Sequence, residues 1–135
     1  MIVLLAKDNL IVNYEVIDNF LPTEDFIKIK EQILGDYFPW YLNDYITNKD
    51  EKKNYGEKYY FQFTHCFLKD ELVNSDWMKI LFPLLNKINP KKIFRIKSNL
   101  QANTDNPITY DFHVDSSVCN TTAIYYINTN NGKTI

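Results

Sequence analysis

His113 and Asp115, which one residue separates, are the two side chains of this sequence whose types and spacing most clearly indicate chemistry. Side chains two apart on a strand point from the same face, and their Cα atoms lie about 6.5 Å apart. An imidazole nitrogen and a carboxylate oxygen both bind a metal ion at about 2.0–2.2 Å, so the pair can serve one ion. A His and a carboxylate are also two of the three ligands that hold Fe(II) in non-haem oxygenases. The pair therefore predicts two metal ligands on one strand.

The residues after this pair support a strand-borne site. Residues 116–120 are polar and are expected to form a loop, and residues 121–127, TTAIYYI, are the β-branched and aromatic run typical of a strand. The sequence NTNNG at 128–132 then signals a turn. The pattern predicts a strand, a loop, a second strand and a turn, with the His–Asp pair on the first strand.

Three segments together resemble the 2-oxoglutarate- and Fe(II)-dependent dioxygenases, in particular their prolyl-hydroxylase-like branch: FHVD at 112–115, TTAIYYIN at 121–128 and NGKT at 131–134. FRIKSNL at 94–100 is similar to the strand that precedes the metal motif in these enzymes. The resemblance is close over about 93–135 and looser before it. It implies a mostly β protein with flanking helices (α+β), built as a double-stranded β-helix (jelly roll) that is incomplete at its C-terminus.

The same resemblance implies the function of a hydroxylase-like oxygenase, which couples decarboxylation of 2-oxoglutarate to hydroxylation of a C–H bond. His113 and Asp115 would then bind Fe(II). Tyr126 matches the tyrosine that binds the distal carboxylate of 2-oxoglutarate, Asn99 is expected to contact the same cosubstrate, and Arg95 is a further candidate. Ascorbate is an additional cofactor that the resemblance allows. The substrate is expected to be a protein or a small molecule, and the sequence does not identify it.

Each of these residues also has a simpler interpretation. Tyr126 fits a core tyrosine, because the chain has ten tyrosines. The predicted strand at 92–101 has one largely polar face, with Arg95, Lys97 and Asn99, which would meet water in an isolated sheet. His65, the other histidine of the chain, could supply a third ligand. A hydrogen-bonded structural role is favoured for it, because the resemblance places the third ligand after the turn at 128–132.

The expected barrel is incomplete within this sequence. A jelly roll needs about eight strands, and the segments 93–100, 109–115 and 121–128 supply three. The distal His of the family, and the Arg that pairs with the cosubstrate carboxylate, would lie beyond residue 135. We therefore expect the front part of a longer oxygenase, or a decayed or assembling piece, that binds Fe(II) weakly by itself.

Length and composition bound the function classes. The 135 residues fit one domain, with a support region at about 1–90 and the first barrel strands at about 91–135. A net charge of −2 with intermixed signs makes a nucleic-acid partner unlikely.

Two cysteines without C-x-x-C spacing indicate free thiols in a reducing compartment. The apolar start MIVLLA is too short for a signal peptide or a membrane span, so we expect a soluble cytoplasmic protein without membrane contact. The oligomeric state is not predicted.

The remaining elements follow from periodicity. Strands are predicted at 1–6, 11–18 and 59–68. A first helix begins at Thr23 as its N-cap, with Gly35 at its C-terminal cap. A second begins at Ser75-Asp76, is kinked or restarted at Pro83, and ends at Asn89-Pro90. Residues 38–42 could form a wall of a cleft, but a core segment or an edge strand is favoured. The polar residues 47–58 could form a lid, but a solvated loop is favoured.

Two classes of function therefore remain. The first is the oxygenase. The second is a non-catalytic β-domain, a structural or interaction module, in which the HVD triplet at 113–115 is incidental. A metallohydrolase is disfavoured, because no further cluster of carboxylates and histidines exists for a hydrolytic metal site.

Overall fold

The computed structural model describes residues 1–8, 11–46, 60–104, 108–110 and 121–129. This part of the chain combines antiparallel strands with two α-helices, so the predicted mixture of strands and helices is confirmed. It divides into two compact units. The elements, in chain order, are β1 (Ile2–Asp8), β2 (Ile11–Ile17), α1 (Thr23–Ile33), β3 (Tyr41–Asn43), β4 (Gln62–Lys69), β5 (Leu72–Val73), a 3-10 helix (Asp76–Leu81), α2 (Phe82–Ile88), β6 (Arg95–Leu100) and β7 (Thr121–Tyr125).

The first unit contains residues 1–37 and 79–91 and the described residues 121–129. Its sheet has the strand order β2-β1-β7, with both pairs antiparallel. β1 and β2 pair from Ile2↔Ile17 to Asp8↔Ile11, and β7 aligns Tyr125 with Ile2 on the other side of β1. The strands predicted at 1–6, 11–18 and 121–128 are therefore confirmed.

Helix α1 begins one residue earlier than a Thr23 cap would allow. Thr23 is the first helical residue, Pro22 occupies the cap position, and no side chain caps the helix. The Phe26 N–H donates to the Pro22 carbonyl oxygen at 3.0 Å, which is the first helical hydrogen bond. Pro22 has the extended geometry (φ −52°, ψ 144°) that a cap position uses. Proline lacks an N–H, but no helical hydrogen bond is lost, because the N–H groups at a helix start have no partner within the helix. The predicted Thr23 cap is wrong for this reason.

Ile29 and Ile33, four residues apart on one face of α1, are both buried, whereas Tyr37, which follows the helix at the same spacing, is 92% exposed. At the end of the helix the cap residue is Leu34, whose N–H donates to the Lys30 carbonyl oxygen at 2.9 Å. Gly35 follows this cap. A Cβ at Gly35 would lie 2.7 Å from the Glu31 carbonyl oxygen, so close approach to the helix end requires glycine here.

The second unit contains residues 38–78 and 92–110 where they are described. β4 is its central strand and pairs antiparallel with β3, β5 and β6. Thr64 aligns with Tyr41 on one side and with Asn99 on the other. Phe38, Tyr60 and Phe67 are buried in this unit, as large apolar rings on a half-covered sheet should be.

A tight hairpin joins β4 to β5. Its two loop residues, Asp70 and Glu71, have φ values of 50° and 68°, the left-handed conformation that a two-residue type I′ turn needs at both positions. The ladder continues past β5, because the Asn74 N–H donates to the Phe67 carbonyl oxygen at 2.8 Å. The hairpin therefore brings the residues after β5 back beside the middle of β4.

The predicted second helix forms as two pieces. A 3-10 helix spans Asp76–Leu81, and α2 spans Phe82–Ile88 with Pro83 in its first turn. Proline lacks an N–H and its ring clashes with the carbonyl four residues earlier, so one continuous α-helix could not pass through Pro83. Asn89 ends α2 in the left-handed conformation (φ 49°), as the Asn-Pro signal predicted. Neither α-helix in the described ranges has the length and apolar character needed to cross a membrane.

Candidate functional site

The two predicted metal ligands, His113 and Asp115, lie outside the residues that the structure describes. Within the described ranges, no three side chains of His, Cys, Asp or Glu gather closely enough to hold a metal ion. The metal site therefore stays a prediction from the sequence, and the described residues include the predicted cosubstrate contacts Arg95, Asn99 and Tyr126.

β6 has the two different faces that its sequence predicted. Arg95, Lys97 and Asn99 are exposed, whereas the alternate residues are partly buried. Two cations and an amide thus share one face, and they offer donors of the kind that carboxylates accept. On the neighbouring strand, Thr64 lies opposite Asn99 and Cys66 lies opposite Lys97. Arg95 and Asn99, the predicted cosubstrate contacts, therefore lie on the same face of one strand, with a second cation between them.

Tyr126 belongs to the first unit and directly follows β7. Its backbone N–H donates to the Met1 carbonyl oxygen at 3.1 Å, so the ladder between β1 and β7 continues to this residue. Its side chain is half-buried. The preceding Tyr125 makes an edge-to-face contact with Phe26, with ring centroids 6.3 Å apart, and burial raises the pKa of the Tyr125 phenol.

His65 is a buried polar side chain of the second unit, with only 3% of its surface exposed. Its Nδ1 lies 2.8 Å from the Pro39 carbonyl oxygen, and its Nε2 lies 2.9 Å from the Ser75 Oγ. The rings of Phe38 and Phe67 pack on the imidazole, with centroid distances of 4.6 and 4.7 Å. The hydrogen bonds predicted for His65 are confirmed.

The partners of His65 determine which nitrogen carries the hydrogen. A carbonyl oxygen can only accept, so Nδ1 donates to Pro39. In the neutral imidazole Nε2 is then an acceptor, and the Ser75 hydroxyl donates to it. The Ser75 Oγ accepts in turn from the Trp77 backbone N–H at 3.2 Å, which is a capping bond at the start of the 3-10 helix. The helix start predicted at Ser75-Asp76 is confirmed by this bond.

An open cleft of about 530 Å³ lies beside this network. His65 and Ser75 line it together with Tyr41, Trp77 and Asn74. The amide of Asn74 is fixed by one donor bond, from its Nδ2 to the Cys66 carbonyl oxygen at 3.0 Å. The cleft therefore places a hydroxyl, an imidazole and an amide beside the aromatic side chains of Tyr41 and Trp77.

Sequence reasoning identified His65 and Ser75 separately but not their contact. Ser75 was recognised only as a helix start, and a hairpin turn brings it to His65. That turn has no sequence signal of the usual kind, because Asp70-Glu71 replaces the Asn-Gly or Asp-Gly that type I′ turns favour. The Pro39 partner is a backbone atom, and no residue type marks it.

Tyr110 is the described residue closest in sequence to the predicted metal ligands. Its ring contacts that of Tyr60, with centroids 5.7 Å apart at 60°. Burial raises the pKa of the Tyr110 phenol, and the neighbouring Tyr60 adds to the increase.

Comparison with known proteins gives no match: no protein-family model, curated protein or solved structure matches the chain.

Proposed function

We propose that this chain belongs to an Fe(II)- and 2-oxoglutarate-dependent oxygenase of the hydroxylase type, with a jelly-roll fold. The observation that carries the proposal is the H-x-D triplet at 113–115 followed by TTAIYYIN at 121–128. A metal-binding pair alone is a weak signal, whereas this pair, loop and strand together are much more specific. The strand of this motif is formed, as β7.

The arrangement of the described strands supports the proposal. Their antiparallel pairing is the kind from which jelly rolls are built. The segment FRIKSNL at 94–100, which resembles the strand before the metal motif, contains the strand β6. Its exposed face combines Arg95, Lys97 and Asn99, which suits a cosubstrate with two carboxylates.

His113 and Asp115 would hold the Fe(II), and the remaining metal positions would be left for 2-oxoglutarate and O₂. When bound, the metal and cosubstrate supply the oxidising chemistry that hydroxylates a C–H bond of a protein or small-molecule substrate. The chain would bind and orient the cosubstrate through the Asn99 amide and the Arg95 guanidinium, which share one face of β6. The role of the Tyr126 hydroxyl rests on the resemblance alone, because Tyr126 belongs to the other unit. His113 and Asp115 act in this proposal as ligands and not as acid or base.

The proposal is tested by calorimetric titration of the full chain with Mn(II), which does not consume O₂, followed by 2-oxoglutarate. We expect weak Mn(II) binding, because the third ligand is missing from this sequence, and we expect His113→Ala and Asp115→Ala each to abolish it. Arg95→Gln should leave Mn(II) binding intact and weaken 2-oxoglutarate binding about ten- to one-hundredfold, because a hydrogen bond to a charged group contributes about 1.5–3 kcal/mol. Lys92→Gln is the matched control. It removes a cation near the same strand, where the side chain forms an exposed 2.7 Å ion pair with Glu71, and should change neither titration.

Absence of Mn(II) binding by the folded chain would overturn the proposal. So would binding that survives both ligand substitutions. Equal weakening of 2-oxoglutarate binding by Arg95→Gln and Lys92→Gln would remove the cosubstrate role of Arg95 while leaving the metal site intact.

A non-catalytic β-domain is the second candidate, and the outer strand of the first unit favours it. β2 lies at the end of the strand order in its sheet, and Tyr14 and Val16 on it are 72% and 49% exposed. Exposed apolar side chains on an end strand suit pairing with another chain. This candidate predicts no binding of Mn(II) or 2-oxoglutarate, and a concentration-dependent mass in light scattering that Tyr14→Lys reduces to that of one chain.

A further inference from the structure

We propose that Ser75 is a nucleophile activated by His65, and that the cleft beside them accepts a neutral ester, whose acyl group is transferred to Ser75 and then to water. The proposal goes beyond the oxygenase function and does not depend on it. Its carrying observation is the chain of hydrogen bonds from the Ser75 hydroxyl through the imidazole to the Pro39 carbonyl oxygen.

The first requirement of such a site is a base within reach of the hydroxyl. The Ser75 Oγ lies 2.9 Å from the Nε2 of His65, within the 2.6–3.2 Å that proton transfer to a general base needs. Because Nδ1 carries the hydrogen, Nε2 is the nitrogen with the lone pair in the neutral ring. The imidazole can therefore accept the proton of Ser75 as the nucleophile attacks.

The second requirement is a group that orients the base. In serine hydrolases a carboxylate usually holds the other ring nitrogen and fixes the tautomer. Here the Pro39 carbonyl oxygen does so at 2.8 Å, and the rings of Phe38 and Phe67 restrict rotation of the imidazole. A neutral carbonyl stabilises an imidazolium less than a carboxylate does, so the activity should be lower than that of a complete triad.

The third requirement is stabilisation of the negative charge that develops during attack. That charge develops on the carbonyl oxygen of the ester, and the Trp77 N–H does not serve it, because this N–H donates to the Ser75 Oγ at 3.2 Å. Asn74, the neighbour of Ser75 in the cleft lining, uses one amide hydrogen at the Cys66 carbonyl oxygen. An amide nitrogen has two hydrogens, so the second is the donor that we assign to the ester carbonyl oxygen.

The lining of the cleft indicates the class of substrate. Its volume of about 530 Å³ is in the range of small-molecule sites. Pro39, Tyr41 and Trp77 supply apolar surface that suits a short acyl or aryl group. Asp76 also lines the cleft and disfavours a negatively charged ligand. A neutral ester with an apolar acyl chain fits these features.

The reaction balances with water as the only co-reactant. The Ser75 Oγ forms a bond to the carbonyl carbon while its proton passes to the Nε2 of His65. The bond between that carbon and the alcohol oxygen breaks, and the leaving alcohol takes the proton from Nε2. Water then attacks the acyl-serine and gives a proton to Nε2, and Ser75 recovers its proton as the acid leaves.

The test is reaction of the full chain with an alkyl fluorophosphonate, followed by mass spectrometry to locate the modified residue. We expect one phosphonyl group per chain, on Ser75. His65→Asn keeps a side-chain donor for the Pro39 carbonyl oxygen and removes the base, so it should slow labelling about one-hundredfold or more, the usual contribution of a general base. Ser75→Asn keeps a capping oxygen for the 3-10 helix and should abolish labelling.

Ser98→Ala is the matched control, because it removes a serine of the same unit that does not line the cleft, and it should label at the original rate. Hydrolysis of p-nitrophenyl butyrate should follow the same order among the variants. Tryptophan fluorescence establishes that each variant is folded. Three results with folded protein would overturn the proposal. These are no labelling, labelling spread over several serines, and labelling of His65→Asn at the original rate.

Chelation of metals and His113→Ala should leave the labelling unchanged. Loss of labelling on chelation would also contradict a metal-free Ser–His site. Failure of the oxygenase proposal and failure of this one are therefore separate outcomes, since the first is read from Mn(II) binding and the second from modification of Ser75.

Discussion

Replacement of His65 by alanine should destabilise the second unit more than any change of an exposed residue. Two hydrogen bonds are lost, to Pro39 and to Ser75, and each contributes about 1 kcal/mol net. The imidazole also leaves a gap among buried rings. Replacing buried Phe or Trp by Ala costs about 3–5 kcal/mol, and the smaller polar imidazole should cost about 1–2 kcal/mol of packing. The free energy of unfolding should therefore fall by about 3–4 kcal/mol, a large part of the 5–15 kcal/mol typical of a domain.

Tryptophan fluorescence during urea unfolding measures this loss in the correct unit. Both tryptophans of the chain, Trp40 and Trp77, belong to the second unit. Each packs on Phe38, with ring centroids 5.0 and 5.3 Å apart, so their emission reports the aromatic cluster that also holds His65. The first unit contributes no tryptophan signal.

Two further variants separate the hydrogen bonds. His65→Asn retains a donor for the Pro39 carbonyl oxygen, and His65→Gln retains a polar group near the Ser75 Oγ, so each should cost about 1–2 kcal/mol less than alanine. Leu72→Ala in the same unit, at a residue 73% exposed, should change the free energy by no more than about 0.5 kcal/mol. Two results would refute the hydrogen bonds of His65 as a source of stability. One is a loss below about 1 kcal/mol for His65→Ala, and the other is an equal loss for the alanine, asparagine and glutamine variants of His65.

Three other substitutions test particular contacts. Gly35→Ala should lower the free energy of unfolding by about 1–3 kcal/mol, since its Cβ would lie 2.7 Å from the Glu31 carbonyl oxygen; an unchanged midpoint in far-UV circular dichroism would contradict this contact. Ser98→Ala should be neutral or stabilising by up to about 1 kcal/mol, because the buried Ser98 hydroxyl has no hydrogen-bond partner among the described residues; a clear loss in urea would show that a partner exists. The pKa of the Tyr110 phenol is raised in the folded chain by burial and by Tyr60, so its contribution to stability is complete below about pH 10 and is lost as the pH rises through the folded pKa. Tyr110→Phe should therefore lose less stability than the original chain between pH 9 and pH 11 in urea titrations, and identical pH profiles would exclude this phenol as a source of alkaline unfolding.

Elements with a strong local pattern were predicted well from the sequence. β7 and β6 follow from β-branched and alternating residues, and the break at Pro83 follows from the geometry of proline. The start of α1 was misplaced by one residue, because Thr23 is a preferred cap type and Pro22 is not. Local preference identified the region correctly, and the neighbouring proline determined the boundary.

The candidate sites were less predictable, because the predicted metal ligands and the contact of Ser75 with His65 depend on different kinds of information. His113 and Asp115 are recognisable from residue types and spacing alone, and they lie outside the described residues. The predicted cosubstrate contacts Arg95 and Asn99 share one face because strand alternation requires it. For these residues, short-range periodicity carries the whole prediction.

The His65 network depends on long-range geometry. Its Pro39 partner is 26 residues away in sequence, and its Ser75 partner is 10 residues away. Ser75 reaches His65 because the turn at Asp70-Glu71 adopts positive φ values without glycine or asparagine, at an energetic cost that the adjoining strand pairs must offset. The same turn is held from a third strand region, because the Glu71 N–H donates to the Phe94 carbonyl oxygen at 3.3 Å. The turn lacks its usual residues, and it is fixed instead by the pairing of β4 with β5 and by the hydrogen bond to Phe94. The position of Ser75 therefore depends on the folded sheet and not on the local sequence.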